Sequence, residues 1–424
     1  MDLILNMLLK MRGKNFIIAL MSALSQYYEY HLFGFLASSI GRNFFPDSDP
    51  SVVLLKTYII MLLGVSTKPF GAIVLGRIGD IYGRDRAITV SMLVTGLASL
   101  AICILPTYHS IGIVAAFILS LLRMLIASST SSGSDGVRIY IYEKIDKKYK
   151  NLGSGLSTIS TITGSFIASY SAWFFTQEAF PEHYWRFTFL IGSCASITIC
   201  MIRKFLDKAS SMQEEVNYGQ YKNMSLFSIM KQNIRLVVLC AIVAGTIGAS
   251  YGFQFTFFVN HNFAVLKNVS SSDMQFYRSS GIALYIIFAI FGGWIADLMS
   301  ARVIASSALS GILLLNGINC YLIKQNTFYV SLYLAISALL PMATIPSLTL
   351  LNSAVPKVIR YRIFSMCHGL GAMIISGPSL IISTQLYQLS QISWLPIVYF
   401  SMVNALMLIS MNLLFIAQKH NRYL

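Results

Sequence analysis

Runs of residues free of Asp, Glu, Lys and Arg dominate the chain, the longest at 87–122, 151–177, 236–266, 303–323, 325–356 and 363–418. At 1.5 Å of rise per residue, about 20 apolar residues in a helix cross a hydrocarbon core of about 30 Å. The last run is too long for one crossing and divides near Ser390, while 87–122 divides at Pro106-Thr-Tyr-His109. With further apolar segments, the pattern predicts twelve spans, near 15–40, 54–77, 87–106, 110–132, 154–177, 187–206, 233–259, 277–298, 302–323, 327–351, 362–386 and 393–417. The fourth is the least regular, because its second half is a Ser/Gly run. The longest polar stretch, Asp207–Gln232, separates six spans from six. It predicts an N-terminal bundle over 1–206, a cytoplasmic linker over 207–232 and a C-terminal bundle over 233–424.

Composition agrees with this pattern. Only 11% of the 424 residues are charged and 56% are apolar, and the mean hydropathy is +0.67. Soluble domains carry about 25% charged residues, so a soluble enzyme, a disordered chain and a disulfide-rich secreted domain are excluded. The net charge of +15 does not call for nucleic acid as a partner, because membrane proteins collect Lys and Arg in their cytoplasmic loops. With the N-terminus inside, 23 of the 31 Lys and Arg fall in inner loops and tails and six in outer loops, with Lys68 and Arg123 left in spans. Both termini are therefore expected in the cytoplasm. The segment Met1–Lys14 does not read as a cleaved signal, since its charges follow its apolar stretch. Six scattered Cys without a CxxC pair read as small buried hydrophobes and not as a metal site. No phosphate loop, metal cluster or nucleophile elbow is present in the sequence, so neither an enzyme nor a cofactor is expected.

A loop signature recurs. Gly76-Arg-Ile-Gly-Asp80-Ile-Tyr-Gly83-Arg84-Asp85-Arg86 follows the second span, and Gly293-Trp-Ile-Ala-Asp297-Leu-Met-Ser-Ala-Arg302 follows the eighth. Both place Gly-x-x-x-Asp at the cytoplasmic end of the second helix of their half. Gly76 lets a neighbouring helix approach, Asp80 can accept from backbone amides or pair with arginines, and Gly83 permits a tight reversal.

The first of these motifs resembles the loop signature of the major facilitator superfamily. The chain is also similar to that superfamily's metabolite:proton symporter branch, which includes proline/betaine, α-ketoglutarate, citrate and shikimate carriers. The likeness lies in Gln26-Tyr-Tyr-Glu29-Tyr-His-Leu-Phe-Gly34-Phe with Phe44-Phe45-Pro46, in Lys68-Pro69-Phe-Gly71, in Tyr184-Trp185-Arg186-Phe, and in Tyr251 and Thr256 of span 7. It thins after about residue 310. The sequence departs from the branch at Gln26, where the branch has Glu, and at Glu29, where it has Asp. It departs again at Ser131-Ser-Gly-Ser-Asp135-Gly136, where the branch has a Gly-Gly-Glu element, and at Val259, where it has proline. The short C-terminal tail leaves no room for the coiled coil of osmosensing relatives. The resemblance implies twelve helices in two pseudo-symmetric six-helix bundles, all α, with a cavity between them.

Charges at bilayer depth are costly and mark function or pairing. Glu29 lies about fourteen residues into span 1, roughly 20 Å deep, and Arg123 lies at similar depth in span 4. The first helix of each three-helix repeat lines the cavity in such carriers, so Glu29 is expected as the proton-coupled acid and Arg123 as the solute's carboxylate partner. A fixed Glu29–Arg123 ion pair is the alternative. Tyr27 and Tyr30 flank Glu29 and join His31 and Thr256 as binding candidates. Lys68 reads as structural, and Asp135 and Arg138, spaced i,i+3, as a pair. Gly76, Asp80, Gly83, Arg84, Arg86 and Glu143, with Gly293 and Asp297, are expected at an inner gate. Asp80, Arg84, Arg86 and Glu143 would form its charge cluster, each pair worth about 1–3 kcal/mol. Together these readings predict proton-coupled uptake of a small carboxylate or zwitterion by alternating access in a bacterial inner membrane. The protein is expected to be a monomer with solute, H+ and lipid as its partners. An uncoupled or sodium-coupled carrier, or a transporter-like sensor, is the alternative.

Overall fold

A computed structural model of the chain describes residues 14–45, 50–177, 179–207, 226–265, 271–325, 327 and 329–420; some helical side chains, Asp80 and Arg84 among them, lie outside the described set. The described residues are helical and contain no strand. Twelve long helical units cross the molecule in alternating directions. They are α1 (Lys14–Phe35, continued by Ala37–Phe44), α2 (Pro50–Ser66 and Lys68–Tyr82), α3 (Arg84–Ile104), α4 (Ile113–Lys144), α5 (Lys150–Phe175) and α6 (Trp185–Asp207). The second half holds α7 (Ile234–Gly252, Phe253–Phe257 and Phe258–Val265), α8 (Ser271–Leu298), α9 (Ala301–Lys324), α10 (Val330–Ala354), α11 (Arg360–Gly371, Ala372–Ser376 and Gly377–Ser390) and α12 (Leu395–His420). Both described ends of the chain fall on one face, called here the terminal face.

Ten of these units are long and apolar enough to cross a membrane. The other two, α1 and α5, are the polar ones, carrying Gln26-Tyr-Tyr-Glu-Tyr-His and Ser154-Gly-Leu-Ser-Thr-Ile-Ser-Thr respectively. They keep their polar side chains off lipid by packing on each other. A Cβ at Gly164 would stand 2.0 Å from the Leu24 carbonyl, and Ser160 donates to the Leu20 carbonyl. Close backbone contact at small residues is the usual way membrane helices associate.

The span pattern misjudged the end of the fourth span. α4 runs on to Lys144 instead of ending near 132. Its Ser/Gly run does not stop the helix, because it is where neighbours approach closest. A Cβ at Gly133 would meet Gln26 and Ser91, and one at Gly136 would meet Tyr361. The linker falls largely on 208–225, outside the described residues, and its last part, Leu226–Gln232, is a short helix. Breaks elsewhere have local causes. Proline cannot continue the preceding hydrogen-bond ladder, and α2 restarts at Lys68 with Pro69 in its first turn. α7 and α11 each contain a five-residue π segment, Phe253–Phe257 and Ala372–Ser376.

Candidate functional site

A cavity of about 150 Å³ lies between the two halves, walled by α1, α2, α4 and α5 on one side and α7, α8, α10 and α11 on the other. An apolar cavity of about this size accommodates benzene, so the space suits a solute of a few heavy atoms. Tyr27, Tyr30 and His31 stand on its wall together, with Tyr251 and Thr256 opposite. The four rings form a chain of contacts, His31 lying 5.1 Å from both Tyr30 and Tyr251 and 5.5 Å from Tyr27. Tyr251 also shares a 2.7 Å hydrogen bond with Ser165 of α5 across the interface.

Two cations reach this aromatic wall. Lys68 holds its Nζ 4.4 Å from the centre of the Tyr30 ring and is 7% exposed. It lines the cavity from the point where α2 restarts, with Pro69 next to it. Arg138 lines the cavity as well; its Nη1 is 3.4 Å from Asp135, and its Nε has no hydrogen-bond partner among the described residues. No Asp or Glu is among the described lining residues, so the cavity carries a surplus of positive charge.

Glu29 turns away from it. The Ser99 hydroxyl donates to Glu29, the Ser196 hydroxyl lies 3.5 Å from its Oε1, and Gly192 backs the site. Arg123 is fully buried between α1 and α4. Its Nη1 donates to the Tyr30 carbonyl at 3.0 Å, and its guanidinium lies 4.7 Å from the Tyr30 ring and 5.1 Å from the Phe33 ring. No ion pair joins Glu29 to Arg123 among the described residues, and neither lines the cavity. Glu29 and Arg123 thus stand on different sides of α1, and Tyr30 lies between Arg123 and the open space.

Cross-half contacts flank the cavity on both sides. On the terminal face Asp297 at the end of α8 accepts from the backbone amides of Asn151 at 2.9 Å and Leu152 at 2.8 Å, and from the Asn151 side chain at 2.9 Å. Its carboxylate thereby caps the first turn of α5, where a helix exposes unpaired N–H groups and a partial positive charge. Gly293 admits that approach, since a Cβ there would stand 2.9 Å from the Asn151 carbonyl. The first repeat packs against α11: Gly79 lies under Tyr361, where a Cβ would fall 2.7 Å from the ring, whereas one at Gly76 would make ordinary contact with Arg362 at 3.6 Å. Gly83 has φ of +92°, a conformation that glycine adopts without strain.

Of the expected inner charge cluster, Glu143 pairs with Arg360 of α11 at 3.0 Å, an ionic partner from the opposite half. Arg86 is exposed 5.9 Å from the Tyr82 ring, and its neighbour Asp85 pairs with Arg203 at 3.1 Å. The Asp80 and Arg84 side chains lie outside the described set. On the opposite face Asn260 of α7 donates to Tyr58 of α2 at 3.3 Å, and Arg278 of α8 donates to Asn260 and lies 5.4 Å from the Phe35 ring. Lys68, Arg360, Asn151 and Arg278 were not singled out from sequence as site residues; Lys68 alone carried a signal, as a charge within a span beside proline.

Comparison with known proteins places this geometry. The Major Facilitator Superfamily profile matches residues 16–376. A Staphylococcus haemolyticus protein, provisionally named a proline/betaine transporter, is 26% identical over 69% of this chain, which spans 63% of that relative's length. The citrate-proton symporter of Salmonella typhi is 24% identical over 86% of this chain and 85% of its own. The crystal structure of a D-xylose-proton symporter superposes with a TM-score of 0.70 at 11% identity, covering 92% of this chain and 96% of its own, which shows the fold. The named relatives match the branch to which the motifs pointed, and they are transporters and not enzymes. The chain belongs to the Major Facilitator Superfamily and is a multi-pass membrane transporter of that fold.

Proposed function

We propose that the protein is a proton-coupled symporter that takes up a small carboxylate or zwitterion through the central cavity by alternating access. The bundles over 1–206 and 233–424 would rock about the linker at 207–232. The Lys and Arg bias supports a cytoplasmic position for both termini, which would make the terminal face the inner one, in a bacterial membrane like those of the relatives. The observation that carries the solute class is the pair of cations, Lys68 and Arg138, on an aromatic wall without a lining acid. An ammonium and a guanidinium in a partly dry site favour an anion strongly, because charge interactions there are little screened. The tyrosine and histidine rings offer π faces for a cationic or apolar part of the same solute. Proton symport is supported by the citrate-proton symporter among the relatives.

The test is uptake into proteoliposomes holding the full chain, with an inward pH gradient and radiolabelled proline, glycine betaine and citrate as probes. The expected outcome is gradient-driven accumulation of one probe, lowered at least tenfold by Lys68→Gln, the effect of losing about 1.4 kcal/mol of binding. Accumulation that follows a sodium gradient instead, or flux indifferent to both gradients, rejects the proton-coupled reading. Binding of a probe without flux favours a sensor.

A further inference from the structure

One carboxylate and one imidazole meet across the two halves at the edge of the cavity. Asp135 of α4 is fully buried, and His368 of α11 reaches both its oxygens through Nδ1, at 2.9 and 3.0 Å. His368 lines the cavity, with 17% of its side chain exposed. The other cross-half contacts differ in kind. Glu143 meets an arginine, which keeps its proton, and Asp297 meets backbone amides and does not line the cavity.

The pair's surroundings decide what a proton there would do. Arg138 on α4 touches the carboxylate, and Lys68 of α2 lines the same cavity. Tyr27, Tyr30 and His31 of α1, Tyr58 of α2, Tyr251 of α7 and Tyr285 of α8 are on the cavity wall. Beside His368, Cys367 interacts with Cys240 of α7, and Tyr361 lies against Gly136. α3 approaches through the uncharged Ile88 and Ser91, α5 through Thr158 and Thr161, and α10 through Leu348. Asp135 is thus the acid of a small group with two cations, and His368 is the imidazole that touches it.

We propose that the Asp135–His368 pair holds the transported proton and that its protonation state sets whether the two bundles part on the terminal face. This rests on the proton-coupled reading above. A solute carboxylate drawn to Arg138 takes positive charge from Asp135, so a proton from the cavity water binds the pair more readily. By linkage the bound proton raises the anion's affinity by the same factor. With a monocarboxylate anion, one negative and one positive charge enter together and leave together, and the cavity's net charge is the same before and after; a zwitterion with its proton adds one positive charge. The proton belongs to the pair as a unit and not to one ring or carboxyl. Because one partner sits on each half, a change in their hydrogen bond acts directly on the separation of the halves.

Amide hydrogen exchange of the full chain in nanodiscs, between pH 5 and 8 and scaled to intrinsic rates, reads that separation at 146–156 and 357–368. The expected wild-type result is an inflection with a slope of up to about tenfold per pH unit, the limit for one proton. Asp135→Asn and His368→Gln, each checked for retained helix content, should flatten it; one folded variant suffices. A folded variant with the wild-type slope, or a flat wild type, overturns the proposal. Proteoliposome flux separates it from the reading beneath. Gradient-driven uptake of proline, glycine betaine or citrate that persists in the variants removes the pair and leaves proton symport standing. Wild-type flux of a probe that ignores the pH gradient removes both. Loss of gradient-driven uptake with solute exchange retained supports the pair.

Discussion

Successive residues of a helix point about 100° apart, and that rotation separates Glu29 from the cavity. Tyr27, Tyr30 and His31 are spaced i, i+3 and i+4 and share one face, while Glu29 stands about 200° round from Tyr27. That rotation was legible in the sequence. Treating the tyrosines as flanking Glu29 gave depth more weight than direction. What the sequence does not hold is the identity of Glu29's neighbours, Ser99 and Ser196, which are 70 and 167 residues distant in the chain. Glu29→Gln should keep an acceptor for those hydroxyls and retain gradient-driven uptake within about twofold. Glu29→Leu leaves buried hydroxyls without their acceptor, at a cost of about 1–3 kcal/mol. Its thermal unfolding should fall by several degrees while the glutamine variant's stays close to wild type. Loss of coupling in a stably folded Glu29→Gln would return the acid to the transport path.

Helices in this chain were legible from hydropathy wherever lipid faces them, and least where protein does. α1 and α5, though both fell among the predicted spans, are too polar to face lipid all round, and they pack on each other because Gly164 lets α5 sit against the α1 backbone. A methyl group there meets a carbonyl at 2.0 Å, and backbone cannot move aside as a side chain can. Gly164→Ala should therefore destabilise the N-terminal half by about 1–3 kcal/mol, the usual cost of overpacking. Gly76→Ala, whose Cβ finds the Arg362 side chain at 3.6 Å, should be tolerated, although the repeated motif drew attention to it first. Melting curves of the two purified variants decide the matter; equal loss at both positions would mean that the motif glycine is as tight a contact as Gly164. The π segments in α7 and α11 lie beside the cavity at Thr256 and at Ala372 and Ser376. An extra residue per turn leaves a carbonyl less firmly held, which suits helices that must bend as the cavity opens.

Across the whole molecule, closure on the terminal face joins positions far apart in sequence: Asn151 with Asp297, Glu143 with Arg360, and Asp135 with His368. The repeated Gly-x-x-x-Asp announced the acid of the first contact, but a sequence cannot say that its partner is the start of α5. Likewise Glu143 was read toward the nearby loop arginines, and a sequence cannot announce Arg360, a partner 217 residues away. If each half moves as one body, these contacts are not separate locks, and loosening one loosens all of them. Asp297→Asn sets an N–H2 donor where a carboxylate accepted two backbone amides, and a lost charged hydrogen bond costs about 1.5–3 kcal/mol. Exchange should then speed up by about tenfold or more, since 1.4 kcal/mol is a factor of ten. The rise should be seen at the Asn151 and Leu152 amides and equally in the first turns of α11, which Asp297 does not touch. Faster exchange confined to 150–156 would show a frayed helix end and would reject the two-body gate. A joint rise, with the face carrying Tyr58, Asn260 and Arg278 exchanging more slowly, is the signature of halves that rock about the cavity between them.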